Sequence, residues 1–257
     1  MRWDPEQYGR YADERGRPFH DLLTRVRADQ PRRVVDLGCG PGTLTALLAD
    51  RWPDAVVDGL DSSAAMIAEA DRLTTGRLTF RVGDVVDWMP PADADVVVSN
   101  ATLQWVPGHR ELVAKWAAAL PAGGWLAFQV PGNFAAPAHR LMRELAGSPR
   151  WAAQLAGVLR HHDAVAEPAE YARLLHASGL LADVWETTYL HVLTGADPVL
   201  DWLRGTGLRP VLAVLNETDG EQFSAALAAR LREAYPPGDA GTIFPFRRIF
   251  AVGRTAS

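Results

Sequence analysis

Apolar and polar positions along the chain fall into two alternating kinds of block. Short apolar runs predict strands at Arg33–Leu37, Ala55–Asp61, Leu78–Val82, Ala94–Ser99 and Trp125–Val130, the first of them buried and the near-continuous run Val96–Ser99 buried on both faces. Between them, apolar residues recur at helical spacing over Thr43–Ala49, Ala64–Leu73 and His109–Leu120. Strands that alternate with helices predict right-handed βαβ units and a parallel sheet covered on both faces. A further helix is expected over Phe19–Val26, with Pro18 near its start. The predicted fold class is therefore α/β, a doubly wound, mostly parallel sheet.

After Val130 the pattern changes. Residues 137–180 read as mostly helical, carried by Leu141, Leu145, Trp151, Leu155 and Leu159. A sixth strand follows over Asp183–Leu193, a second helical stretch over 197–235, and a last strand over Arg248–Gly253. The expected organisation is an N-terminal helical segment at 1–29, an α/β core at 30–132 and a helical cap segment at 133–182. The last two core strands then lie in 183–257, interrupted by a helical cap insertion at 196–240.

Composition narrows the functional classes. The formal net charge of −5 argues against a nucleic-acid binder, which normally carries a basic face. No apolar run is long enough to cross a membrane, the N-terminus has no signal core, and Cys39 has no second cysteine to pair with. A cytoplasmic protein acting on a small molecule is expected, with its oligomeric state left open. Of 26 basic residues only Lys115 is lysine, leaving 26 − 1 = 25 arginines. Most of this bias is genomic, but a guanidinium fork also matches a carboxylate bidentately, so some of these arginines are candidates to hold an anion.

The first strand runs into Asp36-Leu37-Gly38-Cys39-Gly40-Pro41-Gly42-Thr43. A dinucleotide loop of the form G-x-G-x-x-G would need glycine at position 43, where Thr43 stands. Asp36, two residues before the first glycine, would repel a diphosphate and attract a cationic ligand. Asp61 closes the second strand and can accept from both hydroxyls of a ribose, or with Ser62 can cap the next helix. Asp84 follows the third strand, where a carboxylate can accept from an adenine amine. Three acids at successive strand ends, around a glycine loop, mark one ligand crevice.

These motifs, D-L-G-C-G-P-G at 36–42, L-D-S-S at 60–63 and G-D at 83–84, resemble the class I S-adenosylmethionine-dependent methyltransferases. The resemblance implies S-adenosylmethionine as cofactor, with Asp36, Gly38, Cys39 and Gly40 along its methionine part. It implies Asp61 on the ribose and Asp84 by the adenine, with Ser62, Met66, Val85, Asn100 and Arg17 as further cofactor contacts. A [DNS]-P-P-[YF] motif, carried there by base-methylating enzymes, is missing. The whole chain is similar to the trans-aconitate methyltransferases through Trp3-Asp4-Pro5, Tyr8, Glu14–Pro18, Ser99–Trp105 and Asn133–Glu144. The similarity continues through Thr187–Tyr189, His191, Asp201–Pro210 and Phe244–Arg248. It departs at Phe134 and Ala136, where the family often has tryptophan and glutamate.

That second resemblance implies methyl transfer to a carboxylate of trans-aconitate, giving its monomethyl ester. A carboxylate is already anionic, so no catalytic base is expected. Candidate acceptor contacts are Gln104, Trp105, Tyr189, His191, Trp202, Arg209, Arg247 and Arg248. Tyr8, Arg15 and Arg17 are implied to close over the cofactor as a lid. His161-His162 has no further ligands at metal spacing, so no metal is expected. Two alternatives stay open: the same chemistry on another polycarboxylate, a phenol or an amine, and a non-catalytic regulator that binds the cofactor.

Overall fold

The computed structural model describes residues 12–161 and 163–256, with side chains from residue 16 onward. Trp3, Asp4, Pro5, Tyr8 and His162, and the side chains of Glu14 and Arg15, lie outside the described residues. The chain forms two compact units, one of residues 12–131, 165–186 and 248–256, the other of 132–161, 163–164 and 187–247.

The first unit is α/β. Its elements begin with α1 (Ala12–Leu23), β1 (Arg33–Leu37), α2 (Thr43–Arg51), β2 (Val56–Asp61), α3 (Ala64–Ala70), β3 (Leu78–Val82) and β4 (Ala94–Asn100). Next come α4 (His109–Ala119) and β5 (Trp125–Pro131). The helical unit contributes α5 (Pro137–Ala146) and α6 (Ala152–Leu155), and the chain then returns to the α/β unit for α7 (Pro168–Ala177). The remaining elements are β6 (Leu180–Leu193), α8 (Pro198–Arg204), α9 (Arg209–Val214), α10 (Glu217–Ala234), β7 (Pro237–Gly238) and β8 (Gly241–Thr255). Strands β6 and β8 each have residues in both units.

The strand order is β3-β2-β1-β4-β5-β8-β6, with β7 paired to β8. Strands β1 to β5 pair in parallel, and β5 pairs antiparallel with β8. The chain moves outward from β1 to β3 and then crosses back to β4. The order therefore reverses between β1 and β4, and an open sheet of this kind receives ligands outside the carboxyl ends of its strands at such a point. Burial is deepest in the central strands, while β3 at the edge of the sheet buries only Leu78. Val34, Val35 and Leu37 of β1, Val96, Val97 and Val98 of β4, and Leu126, Ala127, Phe128 and Val130 of β5 are buried. Residues at strand ends are the ones left for chemistry.

The predicted elements shift at four places. The first helix spans Ala12–Leu23, with Pro18 inside it rather than at its start. The buried face of Phe19, Leu22 and Leu23 accounts for a helix that tolerates the hydrogen bond lost at proline. The helical expectation over 133–182 divides: α5 and α6 belong to the helical unit, whereas α7 joins the α/β unit. There Tyr171 is buried, and its hydroxyl lies 2.8 Å from Nε2 of His109 in α4. The sixth strand begins three residues early, at Leu180, and the last begins at Gly241. In that extension Thr242, Phe244 and Phe246 are buried while Ile243 and Pro245 are exposed, a period of two that the proline obscures in the sequence.

In the helical unit α5 packs on α10. Trp151 meets Phe223 edge-on at 5.6 Å, and the Tyr235 hydroxyl accepts from the backbone N–H of Ala138 at 3.1 Å. Asn216 caps α10 by accepting from the Asp219 N–H at 2.9 Å.

Candidate functional site

The loop after β1 is held from β2. The N–H groups of Gly38 and Cys39 both donate to the Leu60 carbonyl, at 2.7 and 3.0 Å. Gly38 has φ of +81°, and a Cβ there would lie 2.0 Å from Thr102 Oγ1, so only glycine fits. Gly40 differs. Its φ is +57°, and among the described residues no atom lies within 4 Å of where a Cβ would sit. The backbone at Gly40 therefore borders open space in which a ligand can approach it.

Asp61 fixes this loop. Its Oδ2 accepts from the Gly40 N–H at 2.9 Å and its Oδ1 from the Ser63 N–H at 2.8 Å. The side chain that caps α3 is Ser63, which accepts from the Met66 N–H at 3.4 Å. This corrects the assignment of that cap to Asp61 and Ser62; Ser62 is exposed. Asp36 is buried. Its Oδ2 accepts from the Thr45 hydroxyl at 2.7 Å, and its Oδ1 is buried with no partner among the described residues. Burial pushes the Asp36 carboxyl up to about 7; the Thr45 hydrogen bond opposes the shift and the Asp61 charge adds to it. An acid held this way gains most from a cation placed against its open oxygen. Burial, then the charges of Asp36 and Asp61, push the Cys39 thiol well above its usual range, so it is not a nucleophile.

Of the other expected cofactor contacts, Met66 and Val85 are buried. Asp84 is exposed, and its Oδ1 accepts from the Val86 N–H at 3.0 Å in its own turn. Arg17 is exposed on α1.

Across the same edge the polarity changes. Asn100, the last residue of β4, sits opposite Gln129 of β5, and Arg248 of β8 pairs with Pro131 two residues on. Residues two apart on a strand share a face, so Asn100, Gln129 and Arg248 form one row. The Arg248 Nη1 donates to Gln129 Oε1 at 3.3 Å, and Gln129 Nε2 donates to Asn100 Oδ1 at 2.6 Å. Gln129 and Arg248 are both buried. Just beyond β4, Ala101 is held at φ +55°. Its carbonyl accepts from Gln104 Nε2 at 2.5 Å, and the buried Gln104 Oε1 has no partner among the described residues. Trp105 is half-buried in the short turn Leu103–Trp105.

The remaining candidates lie in the helical unit. His191 stacks on the buried Trp202 at 4.8 Å and lies 6.3 Å from Tyr189, and Trp202 packs on Phe246 at 5.3 Å. Arg209 is the first residue of α9 and half-buried. Arg247 is tied through its backbone: its N–H donates to Asn133 Oδ1 at 2.7 Å, and its carbonyl accepts from Asn133 Nδ2 at 2.9 Å. Arg247 and Arg248, each a candidate clamp, fall in different units.

Three polar residues went unassigned in the sequence reading. Thr45 carries the signal of a hydroxyl nine residues after the buried acid, and Gln129 that of a lone amide in an apolar strand. His139 of α5 is shielded, with Nδ1 buried and unpartnered. Burial, then the charge of Arg143, lowers its pKa to about 4, so it is neutral at neutral pH.

A profile of methyltransferase domains matches residues 8–182. The trans-aconitate 2-methyltransferase of Streptomyces avermitilis is 57% identical over 257 residues, covering 97% of this chain and 96% of that one. Among solved structures, YcgJ of Bacillus subtilis superimposes with a TM-score of 0.59 at 15% identity, over 94% of this chain and 99% of that one. The geranyl diphosphate C-methyltransferase of Streptomyces coelicolor, solved with S-adenosyl-L-homocysteine, gives 0.55 at 15% identity over 98% and 83%. These two likenesses concern the fold. Among the described residues no helix is long and apolar enough to cross a membrane.

Proposed function

The chain belongs to the methyltransferase-domain family, alongside relatives named trans-aconitate 2-methyltransferase, and from that premise we propose that it methylates a carboxylate of trans-aconitate. The observation that carries the acceptor is that 57% identity extends over 97% of the chain, well past the α/β unit. S-adenosylmethionine is the methyl donor, and its sulfonium supplies a methyl group that an oxygen can attack in line.

The residues present fit that cofactor. The buried, unpartnered Asp36 Oδ1 suits its ammonium group, and the open space at Gly40 suits close approach to backbone. Gly38, Cys39, Asp61, Ser62, Met66, Asp84, Val85 and Asn100 are the remaining candidate contacts. Asp61 Oδ1 and Oδ2 each accept one backbone N–H and keep lone pairs for the two hydroxyls of a ribose. Arg17, with Arg15 and Tyr8, stays a candidate lid over the cofactor.

An acceptor carboxylate is ionised at neutral pH and needs no proton removed. The work left to the chain is to align the oxygen with the methyl group and to hold the other carboxylates. Arg248 is the candidate fork in the α/β unit, with Gln104 and Trp105 after β4. Arg209, Arg247, Tyr189, His191 and Trp202 are the candidates in the helical unit. Purified protein is incubated with methyl-labelled cofactor and a panel of tricarboxylates, phenols and amines. The expected product is a base-labile monomethyl ester of trans-aconitate; labelling of a phenol or amine instead, or of nothing, overturns the acceptor.

A further inference from the structure

The row Asn100–Gln129–Arg248 has a direction that hydrogen-bond chemistry imposes. A guanidinium has donors and no acceptor, so Arg248 obliges Gln129 to turn its carbonyl oxygen toward β8. The Gln129 amino group then points the other way, toward β4, and needs an acceptor there. Asn100 supplies it by presenting Oδ1, at 2.6 Å. The Asn100 amide thereby has its oxygen engaged by Gln129, which leaves its NH2 group as the end turned away from β5. An asparagine at the end of a strand is otherwise free to present either end.

We propose that Gln129 is a positioning residue: it carries the polarity of Arg248 across to Asn100, so that Asn100 offers N–H donors to an anionic oxygen of the acceptor. The inference rests on the carboxylate-acceptor reading above and adds to it a residue that touches neither ligand. The layout of the edge favours acceptor over cofactor. From β2 to β8 it reads Asp61, Asp36, Asn100, Gln129, Arg248, so the carboxylates lie at the end that suits a cation. The donors lie at the end that suits an anion. Both linking residues are shielded, which strengthens the coupling relative to an exposed amide pair.

Gln129→Glu tests the direction of the relay. A glutamate accepts from Arg248 but donates nothing, so Asn100 is driven to turn its NH2 inward and its carbonyl outward, against the acceptor. Gln129→Met removes the link without imposing the reversal. Both variants and the wild type are assayed with saturating cofactor for acceptor KM and kcat, and S-adenosylhomocysteine affinity is measured by calorimetry. Gln129→Glu is expected to raise acceptor KM roughly 10- to 100-fold, the Met variant less, with the homocysteine Kd within about threefold of wild type. Asn100→Asp, which presents acceptors only, is expected to raise acceptor KM as the glutamate does and serves as the KM test should position 129 not tolerate change. An unchanged acceptor KM in both Gln129→Glu and Asn100→Asp overturns the relay. So does a rise in homocysteine Kd that matches the rise in KM, since the row then serves the cofactor or the fold. Wild-type protein that forms no ester of any tricarboxylate overturns the acceptor reading itself, and the wild-type arm shows this separately from the variants.

Discussion

The two ends of the parallel strands carry the same kinds of side chain in opposite states. At the amino end, arginine and aspartate are matched. Arg32 donates to Asp95 through Nη2 and Nε at 2.7 and 3.0 Å, and Arg33 holds both Asp58 and Asp93. At the carboxyl end, Asp36 is buried with one oxygen unpartnered, and the arginine of that edge, Arg248, reaches an amide relay. The first edge is satisfied within the fold. At the second, Asp36 Oδ1 and Gln104 Oε1 are buried and unpartnered among the described residues, and buried groups in that state are where binding energy is available.

The contrast extends to titration. The hydrogen bond from Arg32 holds the Asp95 carboxyl below the usual carboxylate range. The stability it contributes is present above the unfolded value and is lost as pH falls through the lowered one. Asp36 is shifted the other way, up to about 7. In the folded chain it keeps its proton while the unfolded chain gives it up, so its contribution to stability declines from pH 4 up to about 7 and is flat above that.

Substitutions can break this comparison. Replacing the unused carboxylate is expected to have the largest effect. Asp36→Asn keeps the shape and the Thr45 contact but removes the charge, and is expected to weaken S-adenosylhomocysteine binding by about 2–3 kcal/mol. The melting temperature of the ligand-free protein should stay level or rise at pH 8, because the buried charge is gone. Calorimetry and a thermal melt check both, and unchanged affinity would make Asp36 a structural acid like those of the other edge. Next in size is the matched edge. Arg33→Ala is expected to cost about 1 kcal/mol in denaturant unfolding, since its pairs are part-buried and still partly screened by solvent, with cofactor affinity unmoved. The smallest effect sharpens the contrast without mutation. Cofactor binding at pH 6.5 should release a fraction of a proton, because a cation beside Asp36 lowers its pKa. Apparent affinity should therefore rise with pH through about 7 and then level off. Calorimetry in buffers of different ionisation enthalpy reads the proton directly, and Asp36→Asn should abolish it.

The parallel α/β core was legible because its signal is local. Runs such as Val96-Val97-Val98 are buried on both faces wherever the sheet places them, and the glycine loop and its acids follow strand ends one by one. Boundaries were less legible where a residue disguises the period, as Pro18 does in α1 and Pro245 in β8. The sequence pointed to Asp36, Asp61 and Asn100 through their places after β1, β2 and β4. It did not distinguish their states. That Asp36 keeps an open oxygen among the described residues while each Asp61 oxygen accepts a backbone N–H depends on which N–H groups lie near each, those of Gly40 and Ser63 being 21 and 2 residues from Asp61.

The arginine excess makes the same point. Composition alone raised the suspicion of an anion, and resemblance singled out Arg209, Arg247 and Arg248. Chain order makes Arg247 and Arg248 neighbours, but the first is tied through its backbone to Asn133 and the second is buried beside Gln129, 119 residues away. What the sequence by itself determined is the element pattern and the chemical type available at each strand end, because both depend on neighbours along the chain. Which polar groups find partners, and in which direction a row of amides points, was decided only by the tertiary structure. Hydrogen bonds across strands join residues by register, and register is set by the packing of the whole sheet.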